Sequence, residues 1–201
     1  MDTFNTVLQV IEQSRQFGFR QLANGTRLYG HVPHVAPEAW LHQVYAPIVE
    51  QDVISLEERI GLPIPSELRQ FFQLANGVGL FSVSLSIYGK RTSYVRTGDD
   101  AWQPFCIVTA NTLERPTHAK TSQLVVGGYR ADGSLLFLDL EDGKVFRTKS
   151  RSKKVLNLWK DFWTLLLEET RRLSGLFDDK GHKLSDGPTT PSADAERTRD
   201  V

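Results

Sequence analysis

The sequence has almost no cysteine, no net charge and no long apolar run. Cys106 is the only cysteine in 201 residues, which excludes an intrachain disulfide and fits a reducing compartment. Twenty-four Lys and Arg offset 24 Asp and Glu. A dedicated nucleic-acid binder carries a basic excess, because phosphate neutralisation dominates its affinity. The balance argues against such a protein. No stretch approaches the ~20 apolar residues that a membrane-spanning helix needs. The start, Met1-Asp2-Thr3-Phe4, lacks the basic flank and apolar run of a secretory leader. The expectation is a soluble, cytoplasmic protein with no membrane partner.

Core-forming residues are present in quantity. Hydrophobic residues make up 40% of the chain, with four Trp and 11 Phe. A body of roughly 150–175 residues buries about two-thirds of its unfolded surface and needs no metal or disulfide staple.

The pattern begins with helices. Phe4, Val7, Leu8 and Ile11 share one helical face over 3–17. Residues 18–36 are turn-rich, with Gly18, Asn24-Gly25, Gly30 and Pro33. Pro37 can open a short helix carrying Trp40, Leu41, Val44 and Tyr45. A helix over 49–60 stops at Gly61, and Ser66 is placed to cap another carrying Leu68, Phe71, Phe72 and Ala75. Asn76-Gly77 ends it, since both residues tolerate left-handed backbone.

Strands follow. Phe81, Val83, Leu85 and Ile87 alternate with Ser82, Ser84, Ser86 and Tyr88, which predicts a sheet with one polar face. Further strands are expected over 102–109, 124–130, 135–140 and 144–148, with Asp132-Gly133 and Asp142-Gly143 as hairpin turns. The run Leu135–Leu138 is apolar on both faces, as for a central strand. A covering helix is expected over 153–173, capped by Ser152 and burying Val155, Trp159, Phe162, Trp163 and Leu166. The expected fold is α+β: N-terminal helices, a mainly antiparallel sheet of five or six strands, and a C-terminal covering helix. Residues 1–45 are expected to form a helical extension packed on a domain at 46–177, with a disordered tail at 178–201.

No catalytic constellation assembles from the sequence, so the expectation is a protein that is not an enzyme and needs neither cofactor nor metal. His31, His34 and His42 lack companion ligands at zinc spacing. Gly77-Val78-Gly79 follows a helix and precedes a strand, the reverse of a phosphate cradle. Asp99-Asp100 and Asp142 read as turn residues, and Cys106 as core packing in an apolar strand. Trp159 and Trp163 read as core packing. The basic stretch Lys149, Arg151, Lys153, Lys154 sits in a strand-to-helix loop, where solvated charge is the default and phosphate contact the rival reading.

Residues 48–80 combine Glu57, Gly61, Leu62-Pro63, Leu68, Phe71-Phe72 and Asn76-Gly77-Val78-Gly79. This series resembles the opening signature of the SUKH superfamily, which includes bacterial immunity proteins, Syd proteins and fungal regulators of cell-wall synthesis. Gly128, Asp132-Gly133, Leu138-Asp139 and Gly143-Lys144-Val145 resemble its hairpin region, and 159–167 its closing helix. The likeness covers 46–172. It implies an immunity protein that binds a cognate toxin, a nuclease or deaminase, and neutralises it by occlusion. The alternative is a scaffold or regulator of the same fold. Glu57, Gly61, Leu62, Pro63, Leu68, Asn76 and Gly77 then serve mainly structure.

Two surfaces are candidates for the partner. One is the polar sheet face through Ser84 and Ser86. The other is the loop over 90–102, whose Arg91, Tyr94, Arg96 and Trp102 are residue types enriched at interface hot spots. A monomer is expected.

Overall fold

The computed structural model describes residues 2–194. Helix α1 (Asp2–Glu12) buries Phe4, Val7 and Ile11 and runs into a short 3-10 segment, Gln13–Phe17. Strands β1 (Phe19–Gln21), β2 (Arg27–His31) and β3 (Trp40–Val44) come next. Helices α2 (Glu50–Ile60) and α3 (Ser66–Phe72) lead to β4 (Val78–Leu80) and β5 (Leu85–Ile87). A long loop and the one-turn helix α4 (Ile107–Asn111) precede β6 (Gln123–Tyr129), β7 (Leu135–Asp139), β8 (Val145–Thr148) and β9 (Val155–Trp159). Helix α5 (Phe162–Ser174) follows.

The described residues form one nine-stranded antiparallel sheet whose spatial order is the order of the sequence. One face carries the main core, where α1, α2, α3 and α5 pack on the strands. Phe71 of α3 is its hub. Its ring centroid lies 5.8 Å from Phe4, 5.1 Å from Phe162 and 6.2 Å from Trp163. Edge-on pairs of this kind add about 0.5–1.5 kcal/mol each beyond area burial. The opposite face holds a smaller cluster of Ala110, Val125 and Phe137, with Tyr88, Leu135 and Phe146 against it. Here β6 outruns its neighbour β5, and the Asn111 side chain takes the missing strand's place. Its Nδ2 donates to Val125 O and its Oδ1 accepts from Val125 N, both at 2.8 Å. The Val125 N–H and C=O are thereby both paired past the end of the shorter strand.

The α+β class, the covering helix and the interior position of β7 match the sequence reading, but nine strands replace five or six. Residues 37–45 are not a helix. Trp40–Val44 pairs with both β2 and β4, and four of its five residues are buried, so no period-two alternation is visible. The expected helical extension therefore contributes three strands to the sheet. Residues 81–83 do not continue a strand. Phe81, Ser82 and Val83 hold φ of 51°, 54° and 64°, a strained left-handed run that folds β4 back onto β5. Residues 102–109 are not a strand either, and α4 begins after Pro104. The helix expected over 153–173 splits in two. Val155, Asn157 and Trp159 alternate inward on β9, and Asp161, rather than Ser152, caps α5 by accepting from Thr164 N at 2.7 Å.

The expected tail is also different. Residues 178–194 lie against the body. Arg172 Nη2 donates to Thr189 O at 2.7 Å, Arg147 Nη2 to Pro191 O at 2.9 Å, and Asn157 Nδ2 to Ser192 O at 2.6 Å. Asp194 N donates to Leu156 O on β9 at 2.8 Å. Buried Arg147 and Asn157, with half-buried Arg172, thus grip main-chain carbonyls, a mode of capture that tail composition does not reveal. Residues 195–201 of that expected tail lie outside the described residues.

Candidate partner-binding site

The loop over 90–106 is fixed at both ends by side chains. At its start, Asn76 Nδ2 donates to Lys90 O and Asn76 Oδ1 accepts from Lys90 N, both at 2.7 Å. Lys90 Nζ also pairs with Asp52 of α2. Gly77 makes this approach feasible. It holds φ of 93°, and a Cβ there would lie 2.6 Å from Ile87 O. Further along, Asp99 is held from the N-terminal strands. Arg20 Nη2 donates to Asp99 Oδ1 at 3.0 Å and Ala23 N to Oδ2 at 2.7 Å. Asn24 Nδ2 donates to Asp99 O at 2.8 Å. Within the loop, Thr92 N and Oγ1 both donate to Gln103 Oε1 at 3.2 Å.

Between these anchors and just after them, large side chains face outward. The Arg91 guanidinium carbon sits 4.8 Å from the Tyr94 ring centroid, while its Nε donates to Ser93 O at 2.9 Å. Tyr94 is 69% exposed, Phe105 55% and Leu113 88%. Tyr88 packs against Phe105 with centroids 5.6 Å apart. Arg91, Tyr94, Phe105 and Cys106 line an open cavity of about 370 Å³ whose floor includes Tyr88, Val125 and Leu135. Burial pushes the Tyr88 hydroxyl up to about 12, with Glu114 adding to it. Cys106 is half-buried at the start of α4 rather than in a core strand. Burial opposes ionisation of its thiol, but hydrogen bonds from Thr109, Tyr94 and Val108 N outweigh it and hold the thiol below its ordinary value.

The other candidates divide. Arg96 and Trp102 line a neighbouring depression of about 440 Å³ with Arg20 and Asp99. Trp102 and Phe105 also border a third, of about 420 Å³, which reaches Tyr45, Val83 and Arg130. Ser84 and Ser86 are buried, so the expected polar sheet face is not a surface. Ser84 Oγ donates to Phe81 O at 2.7 Å and serves the strained turn. Glu57, Gly61, Leu62, Pro63 and Leu68 form the corner between α2 and α3. There Gly61 takes the left-handed conformation at φ 74° and Leu68 is buried. The three histidines do not converge. His31 Nε2 contacts Pro37 O at 2.8 Å, His34 stacks on His182 at 3.9 Å, and His42 is buried on β3. Phe105 and Leu113 escaped the sequence reading. Phe105 lies in an apolar run that reads as core, and nothing in its neighbours marks it as exposed.

A model of the SMI1/KNR4 family (SUKH-1) matches residues 47–168, more than half of the chain. The chain belongs to the SMI1/KNR4 family. No curated protein matches it significantly. The family span begins between β3 and α2 and ends inside α5, so the loop and its cavity fall within it. Residues that hold the loop from outside this SUKH-1 span, Arg20, Ala23 and Asn24, belong to β1 and the turn after it. Among the described residues no helix is long and apolar enough to cross a membrane.

Proposed function

We propose that this SUKH-1 protein is an immunity protein that binds a cognate bacterial toxin, a nuclease or deaminase, and neutralises it by occlusion without turnover. The observation that carries this reading is the combination in one loop of fixed ends and exposed hot-spot residue types. Arg91, Tyr94 and Phe105 project around a concave surface whose backbone is already ordered by Asn76, Gln103 and Asp99. A pre-ordered loop loses little conformational entropy on binding, which favours tight association. Arg and aromatic side chains at a cavity supply the few anchors that dominate such interfaces.

The test is co-expression. The toxin gene adjacent to this gene in its native genome is induced with and without the protein. Restored growth together with a stoichiometric complex supports immunity. A stable complex with an endogenous regulator and no rescue from the adjacent toxin would instead make the chain a scaffold or regulator of the same fold.

A further inference from the structure

The cavity beneath Tyr94 has a second wall that the aromatic loop does not supply. Ser150 lines it, and Ser150 belongs to the β8–β9 loop that carries Lys149, Arg151, Lys153 and Lys154. All four cations are exposed, and none has an ion-pair partner among the described residues. Lys153 is close enough to disfavour protonation of His118, adding to the effect of that histidine's burial. Arg91 lines the same cavity. The chain's overall charge is zero, so this is a local concentration of positive charge rather than a property of the whole molecule. Four cations within six residues repel one another, and an anionic partner relieves that repulsion.

We propose that the docking element of the protein partner is an acidic segment that inserts one aromatic or aliphatic side chain into this cavity and lays its carboxylates along the 149–154 loop. This rests on the reading of the chain as a toxin-binding protein and adds the chemistry of what it grips. Apolar groups of the cavity, Ala110, Val125 and Leu135, suit an inserted hydrocarbon side chain. Charge complementarity at the rim gives register and association rate, while the inserted side chain gives affinity. A polyphosphate chain fits less well. The cavity's apolar lining, Ala110, Val125 and Leu135, and exposed Leu113 nearby in the chain offer hydrocarbon surface that a sugar-phosphate backbone does not use.

Fluorescence anisotropy with the full chain tests this. The probes are a labelled peptide of Asp and Glu flanking a single Phe, the same peptide with Ala for Phe, its Lys-flanked counterpart, a short DNA duplex and an oligouridine strand. Expected are saturable binding of the acidic Phe peptide, about tenfold weaker binding of the Ala version, and none of the Lys version. The exposed-loop variants K149E/R151E/K153E/K154E and R151E/K153E, checked for native near-ultraviolet dichroism, should each weaken the acidic peptide at least ~tenfold. Equal binding of acidic and Lys peptides, or no binding of the acidic peptide, overturns the proposal. So does tighter binding of either nucleic acid with the same dependence on the loop, which makes the site a phosphate track. The charge-reversed variants also separate the two levels of the argument. If they still protect against the adjacent toxin with undiminished affinity, the acidic docking element is refuted and immunity stands. If the wild-type protein gives no protection yet binds the acidic peptide, immunity fails and the surface remains.

Discussion

Glu57 Oε1 accepts the Ile64 N–H at 2.8 Å and a guanidinium N–H of Arg69 at 2.6 Å, so a single carboxylate closes the corner between α2 and α3. Arg69 also pairs with Glu50 at the start of α2. The Leu62-Pro63 step leaves Ile64 N without a helical partner, and Glu57 supplies one. Glu57→Ala should lower stability by about 1–2 kcal/mol in urea unfolding. Some burial opposes its ionisation, but Ile64 N–H and Arg69 outweigh this and hold Glu57 below its ordinary value of 4.5. Its contribution is therefore full above that value and fades as pH falls through the depressed one. An unchanged unfolding midpoint in the Ala variant would show that the corner is held by packing alone.

Asn76 ties the start of the exposed loop to the core. Asn76→Ala removes both hydrogen bonds to Lys90 and should cost about 1–3 kcal/mol. Amide exchange in the 90–96 stretch should accelerate more than exchange in β6. A uniform change across both would mean that Asn76 supports the sheet and not the loop.

On the candidate surface, R91A/Y94A/R96A should keep its melting temperature within a few degrees and bind the cognate toxin about ten- to a hundredfold more weakly. Isothermal titration against the purified toxin reads this directly. Undiminished affinity in the folded variant would remove the loop from the interface.

His42 is fully buried, its ring edge-on to Phe81 at 4.6 Å, and neither ring nitrogen has a hydrogen-bond partner among the described residues. Burial pushes it down to about 3 from its ordinary 6.5. The unfolded chain thus takes up a proton that the native state refuses. Its contribution is complete above pH 6.5 and falls as pH drops toward 3, by roughly 1–2 kcal/mol at pH 5. His42→Leu should flatten stability against pH over this window. An equal slope in both proteins would assign acid sensitivity to carboxylates such as Glu57.

Cutting the chain after Gly187 removes the carbonyls that Arg172, Arg147 and Asn157 grip. Stability should fall by about 2–4 kcal/mol, since the buried donors of Arg147 and Asn157 lose their acceptors. Proteolysis should then open first at β9, whose edge Asp194 N covers. Unchanged melting would show that the strap is a passenger.

The sequence was legible wherever a local rule was sufficient. Asp132-Gly133 and Asp142-Gly143 marked the hairpins, and Gly133 and Gly143 do hold φ of 65° and 73°. Gly61 marked the end of α2. It misled where tertiary cover erased the period. Trp40–Val44 is buried on both sides, so its strand looks like a helix face. Val155 and Trp159 stand at helical spacing from Phe162 and Trp163 by coincidence, because β9 runs almost directly into α5. Serine alternation at 82–86 suggested a wet sheet face, but Phe81–Val83 form a left-handed turn, and Ser84 and Ser86 are buried as well as Leu85 and Ile87. The composition of the 90–102 loop pointed to Arg91, Tyr94, Arg96 and Trp102. That Arg91 and Tyr94 share a cavity with Phe105 and Ser150 depends on β5–β6–β7 pairing, which no window of sequence contains.

Since each strand pairs only with its neighbours in the chain, the sheet can be laid down in the order of synthesis, hairpin after hairpin, as the polypeptide leaves the ribosome. Closure comes last. Trp163 on the final helix meets Phe4 on the first, with ring centroids 6.4 Å apart. A chain without α5 leaves Phe4 and Phe71 without the Phe162 and Trp163 rings that cover them. The clasp between α1 and α5 thus makes burial of the first described helix conditional on the last.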